Sequence, residues 1–380
     1  MSAILDKLLK GRDIEWFQLG QVAEYSKSRI SYDKVDEENY VGVDNLLPNQ
    51  AGKTNSNYLP KSGTLIEYIP NDILIGNIRP YLKKIWHSDR SGGTNGDVLV
   101  IRSIYNELNP RYLYQVLSDN SFFNYNVQNS KGAKMPRGDK EAILKYLIPI
   151  PPLDVQAEIV RILDAFTALT AELTAELTAE LNMREKQYQY YRDKLLTFSD
   201  NEIIWKSLGE VVKMQAGKNI KASQIHPSQT DKNLYPCFGG NGIRGYVNNL
   251  SHQGEYVIIG RQGALCGNVQ RVKGNFYATE HAVVVTVSDL IDVDWAYHML
   301  SFMNLNQYAS KSAQPGLAVG KLEQLEIPVP SLSEQKRVAK ILDKLDTITH
   351  SITEGLPKEI ALREQQYEYY REQLLDFPKN

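Results

Sequence analysis

The chain has little cysteine and no long apolar run, and each scarcity excludes a class of protein. Its 380 residues include two cysteines, Cys237 and Cys266, which are too few for a disulfide scaffold or a cysteine-based zinc site. No apolar stretch approaches the ~20 residues that span a bilayer, and the opening residues do not have the pattern of a signal peptide. We therefore expect a soluble intracellular protein.

An excess of charge of one sign is also lacking. The 43 Lys and Arg residues are balanced by 45 Asp and Glu residues, and the formal net charge is −2. This balance argues against a protein that is basic over its whole surface. Any contact with a polyanion then has to come from local groups of basic residues.

What the sequence does contain is a long internal repeat. Residues 148–198 begin with Ile148-Pro149-Ile150-Pro151 and contain Tyr188-Gln189-Tyr190-Tyr191-Arg192. Residues 327–377 begin with Ile327-Pro328-Val329-Pro330 and contain Tyr367-Glu368-Tyr369-Tyr370-Arg371, so that equivalent residues are 179 positions apart. A duplicated chain of this kind predicts near two-fold internal symmetry, which suits a target with two similar ends such as DNA.

The repeat also divides the chain into domains. The stretch from Trp16 to Val22 resembles the stretch from Trp205 to Val211, and residues 6–9 match residues 193–196. The expected order is therefore an N-terminal segment that resembles the end of a helix module (1–11), a first globular domain (12–147), a first helical spacer (148–201), a second globular domain (202–326) and a second helical spacer (327–380).

The two kinds of segment differ in pattern and in charge. Short apolar runs bounded by turn residues predict strands at 72–76, 96–101, 255–260 and 281–287, and short helices are expected at 110–118 and 294–302. We predict an α+β fold in which two globular domains, each with a twisted sheet or partial barrel, are separated by two long helices. The first spacer has four more acidic than basic residues and the second has one more, whereas each globular domain has one more basic than acidic residue. We therefore expect DNA contacts on loops of the globular domains.

The two spacers carry matching apolar stripes. In each spacer, the first five apolar positions follow 3-4-3-4 spacing. This spacing predicts that the two helices bury each other as an antiparallel coiled coil. Two independent surface helices on one core are the alternative. The predicted seam consists of Ile159, Ile162, Phe166, Leu169, Leu173, Leu177 and Leu181 in the first spacer and Val338, Ile341, Leu345, Ile348, Ile352, Leu356 and Ile360 in the second.

The first spacer contains three consecutive copies of Thr-Ala-Glu-Leu, at residues 170–181. Ala, Glu and Leu form helix well, and each copy would add ~6 Å and ~40° of rotation. One base pair of B-DNA adds ~3.4 Å and ~36°, so the array is interpreted as a ruler whose copy number sets the spacing of two DNA half-sites; a simple helical filler is the alternative. The second spacer has Gly355 and Pro357 at this place, which predicts a kink.

Signals of catalysis are weak. Phe238-Gly239-Gly240-Asn241-Gly242 fits the loose F-x-G-x-G pattern of S-adenosylmethionine sites, but the Asn/Asp-Pro-Pro-aromatic motif of a base-modifying methyltransferase is missing, and we interpret the stretch as a turn. There is no Walker loop, and no His/Cys group has metal-ligand spacing. His281 is interpreted as a histidine at the end of a strand. We expect no catalytic residue and no metal site.

Candidate DNA contacts are basic or amide side chains in loops rich in glycine or aromatic residues. Arg and Gln can read base edges, whereas Lys mostly neutralises phosphate; for each residue alone, a solvated surface charge is the alternative. The candidates are Lys27, Arg29, Arg79, Tyr81, Lys83, Lys84, Arg90, Lys131, Lys134 and Arg137 in the first domain and Lys218, Lys221, Arg244, Arg261, Gln262, Arg271, Lys273, Lys311 and Lys321 in the second.

Taken together, these features resemble the specificity subunit of a Type I restriction–modification enzyme. The resemblance covers essentially the whole chain and rests on the paired Ile-Pro elements, on Gln156 and Gln335, on the Ile-Leu-Asp triplets at 162–164 and 341–343, and on the two Tyr-x-Tyr-Tyr-Arg helix ends. The Thr-Ala-Glu-Leu array resembles the type IC branch.

The resemblance implies a function for each part of the chain. Each globular domain would be a target recognition domain that reads one half of a split, asymmetric DNA site, and the helices would set the gap and dock two modification subunits. Those partners would bind S-adenosylmethionine and methylate adenine, a motor and nuclease subunit would join for cleavage, and this chain would bind no cofactor. The resemblance also implies a bacterial, cytoplasmic location. A stand-alone DNA methyltransferase and a protein-binding scaffold without DNA specificity are the alternatives.

Overall fold

The computed structural model describes residues 2–199, 203–232, 234–263, 265–311, 315–351 and 353–378. The chain forms two compact units, of which the first comprises residues 1–175 and 361–380 and the second residues 176–360. Each unit therefore combines one globular domain with part of each helical spacer.

The first unit begins with a short helix and a mixed α+β domain. The elements are α1 (Ala3–Leu9), β1 (Glu15–Gln18), α2 (Leu19–Val22), β2 (Ala23–Tyr25), β3 (Arg29–Ser31), β4 (Tyr40–Val41), β5 (Thr64–Tyr68), β6 (Ile73–Gly76), β7 (Ile85–His87), β8 (Gly92–Thr94), β9 (Val98–Ser103), α3 (Pro110–Leu117), α4 (Asn120–Gln128), α5 (Lys140–Leu144) and β10 (Leu147–Ile150).

Two four-stranded sheets form this domain, with strand orders β2-β9-β6-β7 and β3-β5-β8-β4. Apolar side chains of β6 and β9 pack against α3 and α4, as Ile75, Leu113 and Phe122 illustrate, and all three are fully buried. The ends of the domain are tied together because β1 pairs with β10, which places Trp16 opposite Pro149. The repeated Trp and Ile-Pro motifs thus close the domain.

A single helix, α6 (Leu153–Leu196), leaves the first domain. It runs without interruption through the Thr-Ala-Glu-Leu array at 170–181, because the array contains no residue that breaks a helix. The expectation of a continuous helical rod is confirmed.

The second unit repeats the plan with a different sheet. Its elements are β11 (Ile204–Ser207), α7 (Leu208–Val211), β12 (Val212–Ala216), β13 (Tyr235–Gly239), β14 (Gly242–Val247), β15 (His252–Gly260), β16 (Val269–Ala278), β17 (Ala282–Val287), α8 (Val293–Phe302), α9 (Val319–Leu322) and β18 (Glu326–Val329). One six-stranded sheet has the order β12-β17-β15-β16-β13-β14. Strand β11 pairs with β18, with Trp205 opposite Pro328, which is the same closure as in the first domain.

The second spacer consists of two helices, α10 (Leu332–His350) and α11 (Leu356–Leu375). The kink expected at Gly355 and Pro357 is therefore a complete break. Gly355 has φ +80°, and a Cβ there would lie 2.4 Å from the Thr347 carbonyl oxygen, so glycine is required where the chain passes the end of α10. Pro357 lies in the first turn of α11, where proline costs no hydrogen bond.

Both spacers contribute to each unit, and they meet with opposite directions. In the first unit, Phe166 near the start of α6 stacks on Tyr370 near the end of α11, with ring centroids 5.2 Å apart. In the second unit, Tyr188 near the end of α6 meets His350 of α10 at 5.3 Å. The antiparallel helix pairing expected from the sequence is present within each unit.

Burial along the seam is uneven. Ile159 and Val338 are fully buried, but Leu169 is 58% and Ile348 is 38% exposed, so the expectation that these two are buried is wrong. The complete burial of Leu163 and Leu342 shows that the stripe is displaced toward the globular domains, because the helices bury one face against a domain as well as against each other. Ile352 lies outside the described residues, and the rest of the seam is half-buried, at Ile162, Phe166, Leu173, Leu177, Leu181, Ile341, Leu345, Leu356 and Ile360.

A buried glutamine fixes each globular domain to its helix. Gln156 is fully buried and accepts a hydrogen bond from the Asn109 backbone N–H at 2.9 Å, and Gln335 does the same for Asp292 at 2.8 Å. One turn or more further along the helices, Asp164 accepts from Gln115 Nε2 at 2.7 Å. Because Asn109 and Asp292 cap α3 and α8, the helices hold the first turn of the following domain helix.

Candidate DNA interface

In the first unit, three loop segments meet where the central strand β6 ends. The Asn77 backbone N–H donates to the Asp97 carbonyl oxygen at 2.8 Å, which joins this end to the turn before β9. The Gly138 N–H donates to the Asn77 carbonyl oxygen at 3.1 Å, which adds the loop before α5. We call this arrangement the first junction, defined by residues 77–79, 95–97 and 131–138.

The loop at 131–138 is held rigidly by its own backbone. Lys131 and Arg137 exchange two backbone hydrogen bonds of 2.9 and 2.8 Å, and the Arg79 N–H donates to the Pro136 carbonyl oxygen at 2.8 Å. A Cβ at Gly138 would lie 2.4 Å from Asn126 Oδ1, so the close approach of the loop to buried Asn126 requires glycine. The loop can therefore present side chains with little loss of backbone freedom on binding.

The second unit contains an equivalent junction at the end of β15. The Arg261 N–H donates to the His281 carbonyl oxygen at 2.8 Å, and the Leu317 N–H donates to the Arg261 carbonyl oxygen at 2.9 Å. These bonds join the ends of the same three segments as in the first unit. The second junction is defined by residues 261–263, 279–281 and 315–317.

The glycine-rich motif at 238–242 supports this second junction. The motif includes the end of β13, the turn at residues 240–241 and the start of β14, so it is a hairpin turn as expected and not a strand-to-helix loop. A Cβ at Gly240 would lie 2.8 Å from the Gln262 carbonyl oxygen and 3.3 Å from that of His281. The glycine thus lets the hairpin pack directly on the junction backbone, which is a structural reason for the motif.

The two junctions have the same backbone frame and different side chains. The first presents Arg79, Lys134 and Arg137, whereas the second presents Arg261, Gln262 and His281. A common frame with different hydrogen-bonding groups is what two readers of unlike base sequences require.

Comparison with known proteins identifies the family of the chain. The family model described as the Type I restriction modification DNA specificity domain matches residues 11–183 and 202–362, one match for each repeat. The chain belongs to this family. It is a DNA specificity subunit and not an enzyme.

Two relatives are named as specificity subunits of Type I restriction enzymes. The specificity subunit of the EcoprrI Type I restriction enzyme from Escherichia coli is 63% identical over 225 residues, which are 57% of this chain and 56% of that protein. A second Escherichia coli Type I specificity subunit is 32% identical over an alignment that covers 99% of this chain and 97% of that protein.

Solved structures show the same fold. A chain from a type I restriction–modification system matches with a TM-score of 0.68 at 19% identity and covers 96% of this chain and 98% of its own length. The specificity subunit of Mycoplasma genitalium matches with a TM-score of 0.57 at 15% identity, over 97% of both chains.

Several predicted DNA contacts of the specificity subunit lie at its junctions, but others are held by carboxylates. Lys27 pairs with Glu24 at 2.6 Å, Arg90 with Asp89 at 2.8 Å, and Lys273 with Glu255. Lys131 of the first junction pairs with Asp139, and this hydrogen bond raises the pKa of the lysine. DNA phosphates would have to compete with these partners, and the assignments stay predictions.

Arg271 differs most from its expected place in a DNA-facing loop. Its guanidinium donates to Asp294 at 2.9 Å and lies 2.7 Å from Asp343 of α10, over the ring of Tyr297. Burial tends to lower the pKa of Arg271, but hydrogen bonds from the guanidinium to the two carboxylates raise it above its usual value. The side chain ties the sheet to α8 and α10.

The other predicted contacts lie outside the junctions. Lys83 Nζ donates to Asn120 Oδ1 at 2.5 Å and Lys84 Nζ to the Val43 carbonyl oxygen at 2.7 Å, while Tyr81 is 53% exposed. The remaining predicted contacts are exposed at the surface, and they are Arg29, Lys218, Lys221, Arg244, Lys311 and Lys321.

Two residues that support the junctions, Asp97 and His281, were not among the predicted site residues. Asp97 and His281 occupy equivalent turns before β9 and β17, and both precede apolar strands that were predicted correctly. This shared position is a sequence signal that could have linked them. Among the described residues, no group of three His, Cys, Asp or Glu side chains could hold a metal ion, and no helix is long and apolar enough to cross a membrane.

Proposed function

We propose that this specificity subunit directs a Type I restriction–modification complex to a bipartite, asymmetric DNA site. The first junction reads one half-site and the second junction reads the other. The observation that carries the proposal is the pair of junctions that share backbone hydrogen bonds but differ in their side chains. Junction loops are held by the ends of sheet strands, which is the usual placement of recognition residues on a rigid scaffold.

The catalytic functions are assigned to partner subunits. Two modification subunits bind S-adenosylmethionine and methylate adenine, and a motor and nuclease subunit acts on unmodified DNA in the bacterial cytoplasm. Docking surfaces for the modification subunits are supported by exposed apolar side chains on the helices, including Met183 (60%), Tyr190 (58%) and Tyr369 (57%). These side chains are accessible to a protein partner.

The proposal is tested by mapping DNA methylation in cells that contain the partner subunits, with and without this chain. We expect one bipartite motif, with a gap of fixed length, to be methylated only when the chain is present. Methylation that does not depend on the chain, or that has no sequence preference, would rule the proposal out. Purified chain alone should show no methyl transfer, and transfer by the chain alone would support the methyltransferase alternative.

A further inference from the structure

Each junction contains a side chain whose head group is held by the residue at the equivalent turn. In the first junction, Arg137 Nη2 lies 3.2 Å from Asp97 Oδ1. In the second, Gln262 Oε1 lies 2.6 Å from His281 Nδ1. Asp97 and His281 are equivalent because their carbonyl oxygens accept the same backbone hydrogen bond, from Asn77 and Arg261.

These contacts orient the head groups without hiding them. The side chain of Arg137 is 55% exposed and that of Asp97 39%, and Gln262 is also exposed. A long side chain loses rotamer freedom when it binds, and a contact that already fixes its head group reduces this cost. Each contact therefore prepares an exposed side chain for a directional interaction.

We infer that Arg137 and Gln262 are the base-reading residues of the two junctions and that Asp97 and His281 are their positioning residues. The inference rests on the proposed function and names the residues that carry it out. It separates these two side chains from the lysines around them, which contact phosphate.

The chemistry of the head groups assigns a base to each. Arg137 has five N–H donors, and the Asp97 contact leaves most of them available. Guanine presents two neighbouring acceptors, O6 and N7, in the major groove and is the base that arginine pairs with twice. The half-site of the first junction therefore contains a guanine that Arg137 reads.

Gln262 presents a different pattern. Its Oε1 carries no proton, so His281 Nδ1 donates in this contact and fixes which way the amide points. The oxygen keeps a second lone pair and the amide keeps both N–H groups. An amide that can both accept and donate matches adenine N6 and N7, so the half-site of the second junction contains an adenine that Gln262 reads.

The test compares methylation motifs of complexes that contain single variants, all reconstituted with the partner subunits. Arg137→Lys keeps the charge but cannot make the paired contact. We expect it to lower discrimination for guanine at one position of the first half-site by about 10- to 100-fold. The second half-site and the gap should be unchanged.

The positioning residues Asp97 and His281 are tested by measuring base discrimination at the motif positions that Arg137 and Gln262 read. Asp97→Ala should lower discrimination for the same guanine as Arg137→Lys does. Combined with Arg137→Lys, it should cause no further loss of discrimination. His281→Ala should lower discrimination for the adenine that Gln262 reads. His281→Asn should keep part of this discrimination because its amide can donate to Gln262 Oε1. If Asp97→Ala does not assemble, the isosteric Asp97→Asn replaces it; its Oδ1 still accepts from Arg137 but carries no charge, so discrimination for the same guanine should fall by less than in Asp97→Ala.

Lys134→Ala is the matched control, since it lies in the same loop as Arg137. We expect weaker binding to all sequences with an unchanged motif, as for a phosphate contact. If Arg137→Lys and Gln262→Ala leave every motif position unchanged while the parent chain still directs a bipartite motif, the inference is wrong and the proposed function stands. If the parent chain directs no motif, the proposed function itself fails.

Discussion

At the scale of single residues, two buried glutamines do the same work in the two repeats. Gln335 Nε2 donates to the carbonyl oxygens of Leu290 and Pro330, and its Oε1 accepts from the Asp292 N–H. Gln156 makes the same three bonds, with Glu107, Pro151 and Asn109. One amide thus satisfies three backbone groups at the base of the helix, which explains why both repeats carry glutamine there.

Gln335→Leu should destabilise the second unit. Leucine has a similar volume, but the substitution leaves one buried N–H and two buried carbonyl groups without their partner, at a cost of roughly 2–4 kcal/mol. Chemical denaturation of the purified complex measures the loss. The neighbouring exposed residue provides the control, as Lys336→Leu should change the free energy of unfolding by less than about 0.5 kcal/mol. Equal effects of the two substitutions would contradict this role.

The two units differ in one residue contact further along the helices. Asp343 accepts from His298 Nε2 at 2.8 Å, where Asp164 of the first unit accepts from Gln115. Burial lowers the pKa of His298 below its ordinary 6.5, although the Asp343 hydrogen bond opposes this. Burial would raise the pKa of Asp343, but hydrogen bonds from Arg271 and His298 bring it below its usual value.

The second unit should therefore lose stability in mild acid. A histidine whose folded pKa is depressed takes up a proton more readily when unfolded, so its contribution is complete above pH 6.5 and is lost as pH falls below it. Thermal unfolding between pH 7.5 and 5 should show a falling midpoint. His298→Gln copies the first unit and should reduce this dependence; an identical pH profile in the variant would contradict the assignment.

At the scale of elements, the two spacers differ although they descend from one repeat. Helix α6 is continuous through the Thr-Ala-Glu-Leu array, whereas Gly355 divides the second spacer into α10 and α11. The array was predictable because local helix propensity is strong and uniform. The complete break was not, because it depends on the positive φ of Gly355 and on its approach to Thr347.

Removing one copy of the array, residues 174–177, should shorten the gap of the recognised motif by about one base pair. The deletion removes ~6 Å and ~40° of helix, and the rotation nearly equals that of one base pair. Methylation mapping with the partner subunits present measures the gap. Both half-sites should stay the same, and a deletion that alters a half-site while keeping the gap would refute the ruler.

At the scale of the whole molecule, duplication produced two units that each have their own core. The two domains share the closing strand pairs, the buried glutamines and the junction bonds. Their sheets nevertheless differ, with two four-stranded sheets in the first domain and one six-stranded sheet in the second. The shared parts close each domain, attach it to its helix and hold its junction.

Exchange of residues 202–326 for the corresponding domain of another specificity subunit should therefore change one half-site only. The β11–β18 closure and Gln335 provide the same attachment for either domain, so the first half-site and the gap should persist. Sequencing of methylated DNA from cells with the chimera gives the result. A simultaneous change of both half-sites would show that the units do not read independently.

The sequence by itself determined the duplication and the long helix, because these follow from repeated motifs and from local helix propensity. It also supplied the family, through residues such as Gln156 and Gln335 whose backbone partners it could not reveal. Only the tertiary structure decided which basic residues stand at the junctions, and only it showed that Arg271 is held by Asp294 and Asp343. It also displaced Leu169 and Ile348 from the expected seam. The reason is that each of these outcomes depends on contacts between segments distant in sequence, and charge, loop composition and helical spacing contain no information about such partners.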